Sequence, residues 1–147
     1  MSTKRALAFA VVALVFAVPA FLFGPTIWPD PADAPVPTPA QVPHLTILSI
    51  VDALTLGVGA AFLVFGWPFV RDAMPHHRRA ALLSYLATAW LLVSWWPHAN
   101  AHRANGTDIT GLIKIDYGFH VTLMIAGFII AYCFAKFLQP PRKTAAR

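Results

Sequence analysis

Four long apolar runs constrain this chain more than any other feature of its sequence. They cover residues 6–23, 45–70, 80–96 and about 117–138. Each is long enough, or nearly so, for a helix of about 20 residues to cross a hydrocarbon core of about 30 Å. The runs do not alternate in polarity as transmembrane strands do. The sequence therefore predicts an all-α fold, an integral membrane four-helix bundle that forms a single transmembrane domain over residues 1–147.

The composition excludes several other classes of protein. Of the 147 residues, 58% are hydrophobic and 12% are charged, whereas a soluble domain averages about 25% charged residues. This balance excludes a soluble cytosolic domain and a disordered tail. The single cysteine, Cys133, excludes an internal disulfide framework. We therefore expect the lipid bilayer to be the main partner of the chain.

The basic residues predict how the chain is oriented in the membrane. The net charge is +5, but the basic residues do not form one patch, so the sequence does not indicate nucleic-acid binding. Cytoplasmic segments carry an excess of Lys and Arg, and four spans place the three basic segments on one side. We predict a multi-pass protein of the cell membrane with both termini in the cytoplasm. The basic residues that flank the runs are Lys4, Arg5, Arg71, Arg78, Arg79, Arg142, Lys143 and Arg147.

The first apolar run also resembles a secretory signal. Lys4 and Arg5 precede it, and small residues lie near Ala20, as in signal peptides. Cleavage would leave three spans and an N-terminus outside the cytoplasm. The run is longer than the roughly 7–15 apolar residues of a signal, and we therefore interpret it as an uncleaved anchor.

A proline-rich segment, residues 24–44, connects the first two runs on the extracytoplasmic side. Seven prolines fall within it. Proline disfavours helix interiors and central strands, so the sequence predicts an extended, stiff connection. Such a connection is either a plain spacer or a lid across the outer face.

Two histidines follow the third run at a spacing of four residues. His98 comes directly after Pro97, His102 follows four residues later, and Asn105-Gly106 then indicates a turn that ends the helix. Residues four apart share one face of a helix. We therefore expect both imidazoles to point in the same direction.

The fourth run begins with a second polar pair at the same spacing. Asp116 and His120 are four residues apart, and Asp108 is placed to cap the helix. Continuing the same face inward gives Leu123, Gly127 and Ala131. Because two of these three residues are small, we expect this face to pack against the bundle.

The second run contains one carboxylate, Asp52, about seven residues inside its start. An aspartate near the middle of a membrane costs about 2.5–3.5 kcal/mol on insertion scales. That cost implies a partner, a water-filled cavity or a protonated side chain. Aspartates within membrane spans are candidates for function.

Together these polar residues predict a metal site at the extracytoplasmic face. His98, His102 and His120 are the predicted ligands, with Asp116 or Asp52 as a fourth ligand or as a hydrogen-bond partner of a ligand. Imidazole and carboxylate ligands suit zinc, copper or iron. A haem b held by two of the histidines is an alternative. His44 is a weaker member because it ends the proline-rich segment.

The sequence leaves two other classes of function open. One is an accessory or structural subunit of a larger membrane complex with no cofactor of its own, which the glycine-rich second run would suit. The other is a proton or small-solute pathway through Asp52 and His120. No phosphate-binding loop, GxSxG elbow or CxxC pair occurs, so the sequence names no reaction.

Overall fold

Four long helices and three short helical segments make up the computed structural model, which describes residues 2–138. The long helices are α1 (Thr3–Ile27), α2 (Val42–Phe65), α4 (Arg78–Asn105) and, at the C-terminal end, α6 (Val121–Phe137). The short segments are α3 (Trp67–Ala73), α5 (Ile109–Ile115) and a π-helix (Asp116–His120). The all-helical prediction is confirmed.

The four predicted runs correspond to four helices that are long and apolar enough to cross a membrane. The fourth of these is composite, because α5, the π-helix and α6 follow one another without a break from Ile109 to Phe137. Each long helix packs against the next long helix along the chain: α1 on α2, α2 on α4 and α4 on α6. This order brings the C-terminal half of α4 beside the start of α6.

Prolines move several helix boundaries away from the expected positions. Helix α1 continues through Pro19 and Pro25, and Pro43 lies in the first turn of α2, where its missing N–H needs no partner. The connection between these helices is therefore residues 28–41, shorter than the predicted 24–44. The second run is divided at Gly66, because α2 ends at Phe65 and α3 begins at Trp67 with a proline in its first turn.

The helix contacts are made by small side chains, and the large apolar side chains point outward. Buried positions include Ala13 and Ala17 on α1 and Ala53, Gly57 and Ala61 on α2. Small residues let helix backbones approach closely, which is how helices associate in lipid. The outward large side chains form an apolar surface that suits a bilayer; among them are Leu7, Val15, Val64, Leu86, Met124, Phe128 and Tyr132.

One prediction about the fourth span was wrong. Gly127 and Ala131 are exposed, and a Cβ added at Gly127 would meet no atom within 4 Å. The buried residues of α6 are Ala126 and Cys133 instead. The face of α6 that contacts α4 also includes Thr122, whose hydroxyl accepts a hydrogen bond of 3.1 Å from the Trp90 indole on α4. This contact fixes the rotation of α6.

Candidate metal centre

Helix α4 supplies two of the three histidines in the candidate centre. It runs unbroken through Pro97 to Asn105 and ends at Gly106, whose φ of 54° is a conformation that glycine adopts easily. His98 and His102 therefore lie one helical turn apart. Their ring centroids are 4.8 Å apart, as the four-residue spacing predicts.

The π-helix at the start of α6 supplies the third histidine. Asp108 caps α5 by accepting hydrogen bonds from the N–H groups of Thr110 and Gly111 at 3.1 and 3.0 Å. The chain then widens into the π-helix from Asp116 to His120, and Val121 N–H bonds to the Asp116 carbonyl. Single π-helical turns within α-helices occur frequently at functional sites.

The three imidazoles converge on one point between α4 and α6. His120 Nε2 lies 2.8 Å from His98 Nε2 and 3.3 Å from His102 Nε2. Among residues 2–138, these three side chains form the cluster whose ligand atoms all lie within 4.8 Å of one another. Nitrogen ligands about 2.0–2.1 Å from a tetrahedral zinc lie about 3.3 Å apart. The histidine triad His98, His102 and His120 could therefore hold a metal ion.

Asp116 fixes which nitrogen of His120 points at the other histidines. Its Oδ1 lies 2.6 Å from His120 Nδ1. A proton on Nδ1 is donated to this carboxylate, which leaves the Nε2 lone pair directed at the triad. Metal-binding histidines are commonly oriented in this way, since the carboxylate also makes the imidazole a stronger base.

Hydrogen bonds within the triad cannot satisfy all three Nε2 atoms. His120 Nε2 carries one lone pair once Nδ1 donates to Asp116. Both His98 Nε2 and His102 Nε2 face that single lone pair, and only one of them can donate to it well. When each imidazole instead carries its proton on Nδ1, three Nε2 lone pairs point at one place, and a single metal cation can accept all of them.

Aromatic rings enclose His98 on two sides. The Trp95 ring lies 5.9 Å and the Phe119 ring 5.5 Å from it, centroid to centroid. The three histidine residues are half-buried. An apolar wall of this kind limits the approach of water and holds the imidazoles in place.

The structure places Asp52 outside this cluster. Asp52 Oδ1 accepts a hydrogen bond of 2.9 Å from the Trp95 indole N–H, and the carboxylate lines a cavity that it shares with His102. His44 is also separate, since its Nδ1 pairs with the Ala40 carbonyl oxygen at 3.1 Å. Of the two predicted carboxylates, Asp116 is therefore the one that contacts a histidine of the triad.

Two polar contacts near the site had no signal in the sequence. Trp95 links Asp52 on α2 to His98 on α4, although a tryptophan near a span end is expected simply from the aromatic belt. Arg103 pairs with Asp30 of the connection between α1 and α2, Nε to Oδ1 at 3.1 Å. The two residues of each hydrogen-bonded or ion pair are more than 40 positions apart, so no local spacing reveals them.

Comparisons with known proteins do not assign the chain to a family. No protein-family model, no curated protein and no solved structure matches this sequence.

Proposed function

We propose that the chain is a membrane protein that binds one transition-metal ion at the histidine triad. The observation that carries this proposal is the convergence of three imidazole Nε2 atoms from two helices, two of the distances being 2.8 and 3.3 Å. His98, His102 and His120 provide the ligands, and Asp116 orients His120. Three imidazoles also leave a fourth position at the metal for water or another ligand.

Zinc and copper are the metals that this set of ligands favours. Imidazole binds zinc, copper, iron and nickel, and affinity among the divalent ions is highest for copper. Zinc is favoured because three histidines with an open fourth position are a common zinc site. A haem held between two of these histidines does not fit the geometry. Axial ligands of a haem lie on opposite faces of the macrocycle, whereas His98 Nε2 and His120 Nε2 are 2.8 Å apart.

The same proposal includes the orientation of the protein in the membrane. The helices span the cell membrane with both termini in the cytoplasm, because the basic segments flank the spans on one side. The triad then lies near the extracytoplasmic face, at the end of α4 that follows Pro97. A metal ion would therefore reach the site from outside the cytoplasm.

The direct test is the metal content and metal affinity of the purified protein. We expect about one equivalent of zinc or copper per chain by mass spectrometry, retained against a chelator of moderate affinity. The visible spectrum should contain no Soret band. A protein that binds no metal after zinc or copper titration would contradict the proposal, and a stable partner complex isolated with it would instead favour the accessory-subunit hypothesis.

Replacing Asp116 with Asn should weaken metal binding without abolishing it. The neutral amide no longer stabilises the Nδ1–H form of His120, and loss of such a partner typically costs about 10–100-fold in metal affinity. Chelator competition measures this change. Asp72→Asn is the matched control, because Asp72 pairs with Arg71 on α3; equal affinities for the two variants would argue against the orienting role.

Cysteine labelling tests the orientation. The native Cys133 is fully buried and should not react with a membrane-impermeant maleimide. Thr107→Cys, in the exposed turn before α5, should be labelled in intact cells, and His76→Cys, in the exposed turn before α4, only after the membrane is opened. The reverse pattern would place the triad on the cytoplasmic side.

A further inference from the structure

A cavity of about 860 Å³ lies beside the histidine triad. Its walls come from α1, α2 and α4, and the connection between α1 and α2 lines it as well. Small-molecule sites in proteins commonly have volumes of about 300–1,000 Å³. The cavity therefore has the size of a ligand site.

The walls of the cavity carry more carboxylates than basic groups. Among residues 2–138, Asp30, Asp33 and Asp52 line it, together with the guanidinium of Arg103 and the imidazole of His102. Asp30 already pairs with Arg103 at 3.1 Å. Arg103 also donates a hydrogen bond of 2.9 Å to Asn100 Oδ1. With the Arg103 guanidinium engaged in this way, Asp33 and Asp52 provide a net negative charge that favours a cation.

Asp52 is the carboxylate that is best placed to anchor such a cation. It lies in the middle of α2 and is half-buried, so its charge is less screened by water than a surface charge. The Trp95 indole N–H holds Oδ1 at 2.9 Å. This bond fixes the carboxylate and leaves Oδ2 to contact a ligand.

The remaining walls are apolar and aromatic. Phe21, Leu45, Leu48 and Trp96 line the cavity, together with prolines of the connection between α1 and α2. These side chains would bury the hydrocarbon body of a ligand. The Trp96 indole also provides an aromatic face, to which cations are attracted.

We infer that this cavity binds an amphipathic organic cation, with its positive group at Asp52 and its apolar body against Phe21, Leu45 and Trp96. The size, the surplus of carboxylates and the apolar walls select this class of ligand together. A hydrated metal ion would leave the apolar walls uncovered, and an anionic amphiphile would be repelled by the carboxylates. The inference does not depend on metal binding, since Asp52 lies outside the triad.

Two probes of the same shape and opposite charge test the inference. Tetraphenylphosphonium is an apolar cation, and tetraphenylborate is the anion of nearly identical form. We expect the phosphonium ion to bind the purified protein in equilibrium dialysis, and this binding should saturate at one equivalent. We expect the borate to bind at least tenfold more weakly. Equal binding of the two probes, or no saturable binding of the phosphonium ion, would overturn the inference without the need for any variant.

Asp52→Asn tests whether the negative charge of the Asp52 carboxylate binds the cation. It keeps the size of the side chain and an oxygen that can accept from Trp95, and we expect it to bind tetraphenylphosphonium at least tenfold more weakly. Asp72→Asn removes one negative charge on α3 and should bind like the wild type. The melting temperature of each variant in detergent reports whether it is folded. A folded Asp52→Asn protein with wild-type affinity for the probe would show that the cavity does not bind cations through Asp52.

Discussion

His120→Ala should abolish the stabilisation of the protein by metal. His120 lies at the C-terminal end of the π-helix, whereas His98 and His102 lie on α4. A metal ion bound by all three histidines therefore links α4 to the fourth span. Removing His120 leaves two ligands on one helix and removes this link.

The size of the effect follows from the coupling between binding and folding. A ligand that binds only the folded state stabilises it by about 2.7 kcal/mol at a free concentration 100-fold above Kd. We expect zinc or copper to raise the apparent melting temperature of the wild-type protein in detergent. In His120→Ala the same addition should leave the melting temperature unchanged.

The control for this experiment is a histidine outside the triad. His44→Ala removes an exposed imidazole that pairs with the Ala40 carbonyl and should keep the full response to metal. The substitution can also remove packing, because the His120 ring contacts the His98 ring, which also contacts the Phe119 ring. Melting without metal measures this loss of packing separately from the loss of a metal ligand. A metal response in His120→Ala equal to that of the wild type would exclude the triad as the metal site.

Local spacing in the sequence accounts for the elements of the site that are close in the chain. Hydropathy identifies the four long helices, because each must be apolar over its length whether it faces lipid or protein. The four-residue spacing places His98 beside His102, and Asp116 beside His120. The capping role of Asp108 follows in the same way from residue type and position.

The contacts between helices follow from tertiary packing, which local spacing does not encode. A regular α-helix through Asp116 and His120 would direct Gly127 toward the bundle, but Ala126 is buried instead and Thr122 accepts a hydrogen bond from Trp90 of α4. The π-helix also changes the angle about the helix axis between the pair Asp116 and His120 and the side chains of α6 that follow. Only the packed structure shows which face of α6 meets α4.

Trp95 gives a physical link between the two proposed sites. Its indole N–H bonds to Asp52 in the cavity wall, and its ring lies 5.9 Å from the ring of His98. His102 also belongs to both places, as a member of the triad and as part of the cavity wall. A cation bound at Asp52 would therefore lie beside the proposed metal site, and measuring zinc affinity with and without tetraphenylphosphonium would quantify the coupling.

Gly57→Ala should destabilise the bundle by about 3 kcal/mol or more, at the upper end of the cost of overpacking. A Cβ at this position would overlap the Ala13 carbonyl oxygen and lie 2.9 Å from the Ala17 Cβ. The Ala13 carbonyl belongs to the backbone of α1 and cannot rotate away. Relief therefore requires α1 and α2 to separate, which loses contacts along their whole interface. Unfolding in mixed micelles of increasing denaturing detergent measures the loss.

Gly127→Ala is the matched variant, because a Cβ there would meet no atom within 4 Å. Both substitutions replace glycine by alanine inside a helix, which by itself favours the helix by about 1 kcal/mol. The difference between the two variants therefore isolates the cost of the contact between α1 and α2. We expect Gly127→Ala to be as stable as the wild type or slightly more so. If Gly57→Ala behaves in the same way, α1 does not pack on α2 through this glycine, and the wall that both helices give to the cavity is built differently.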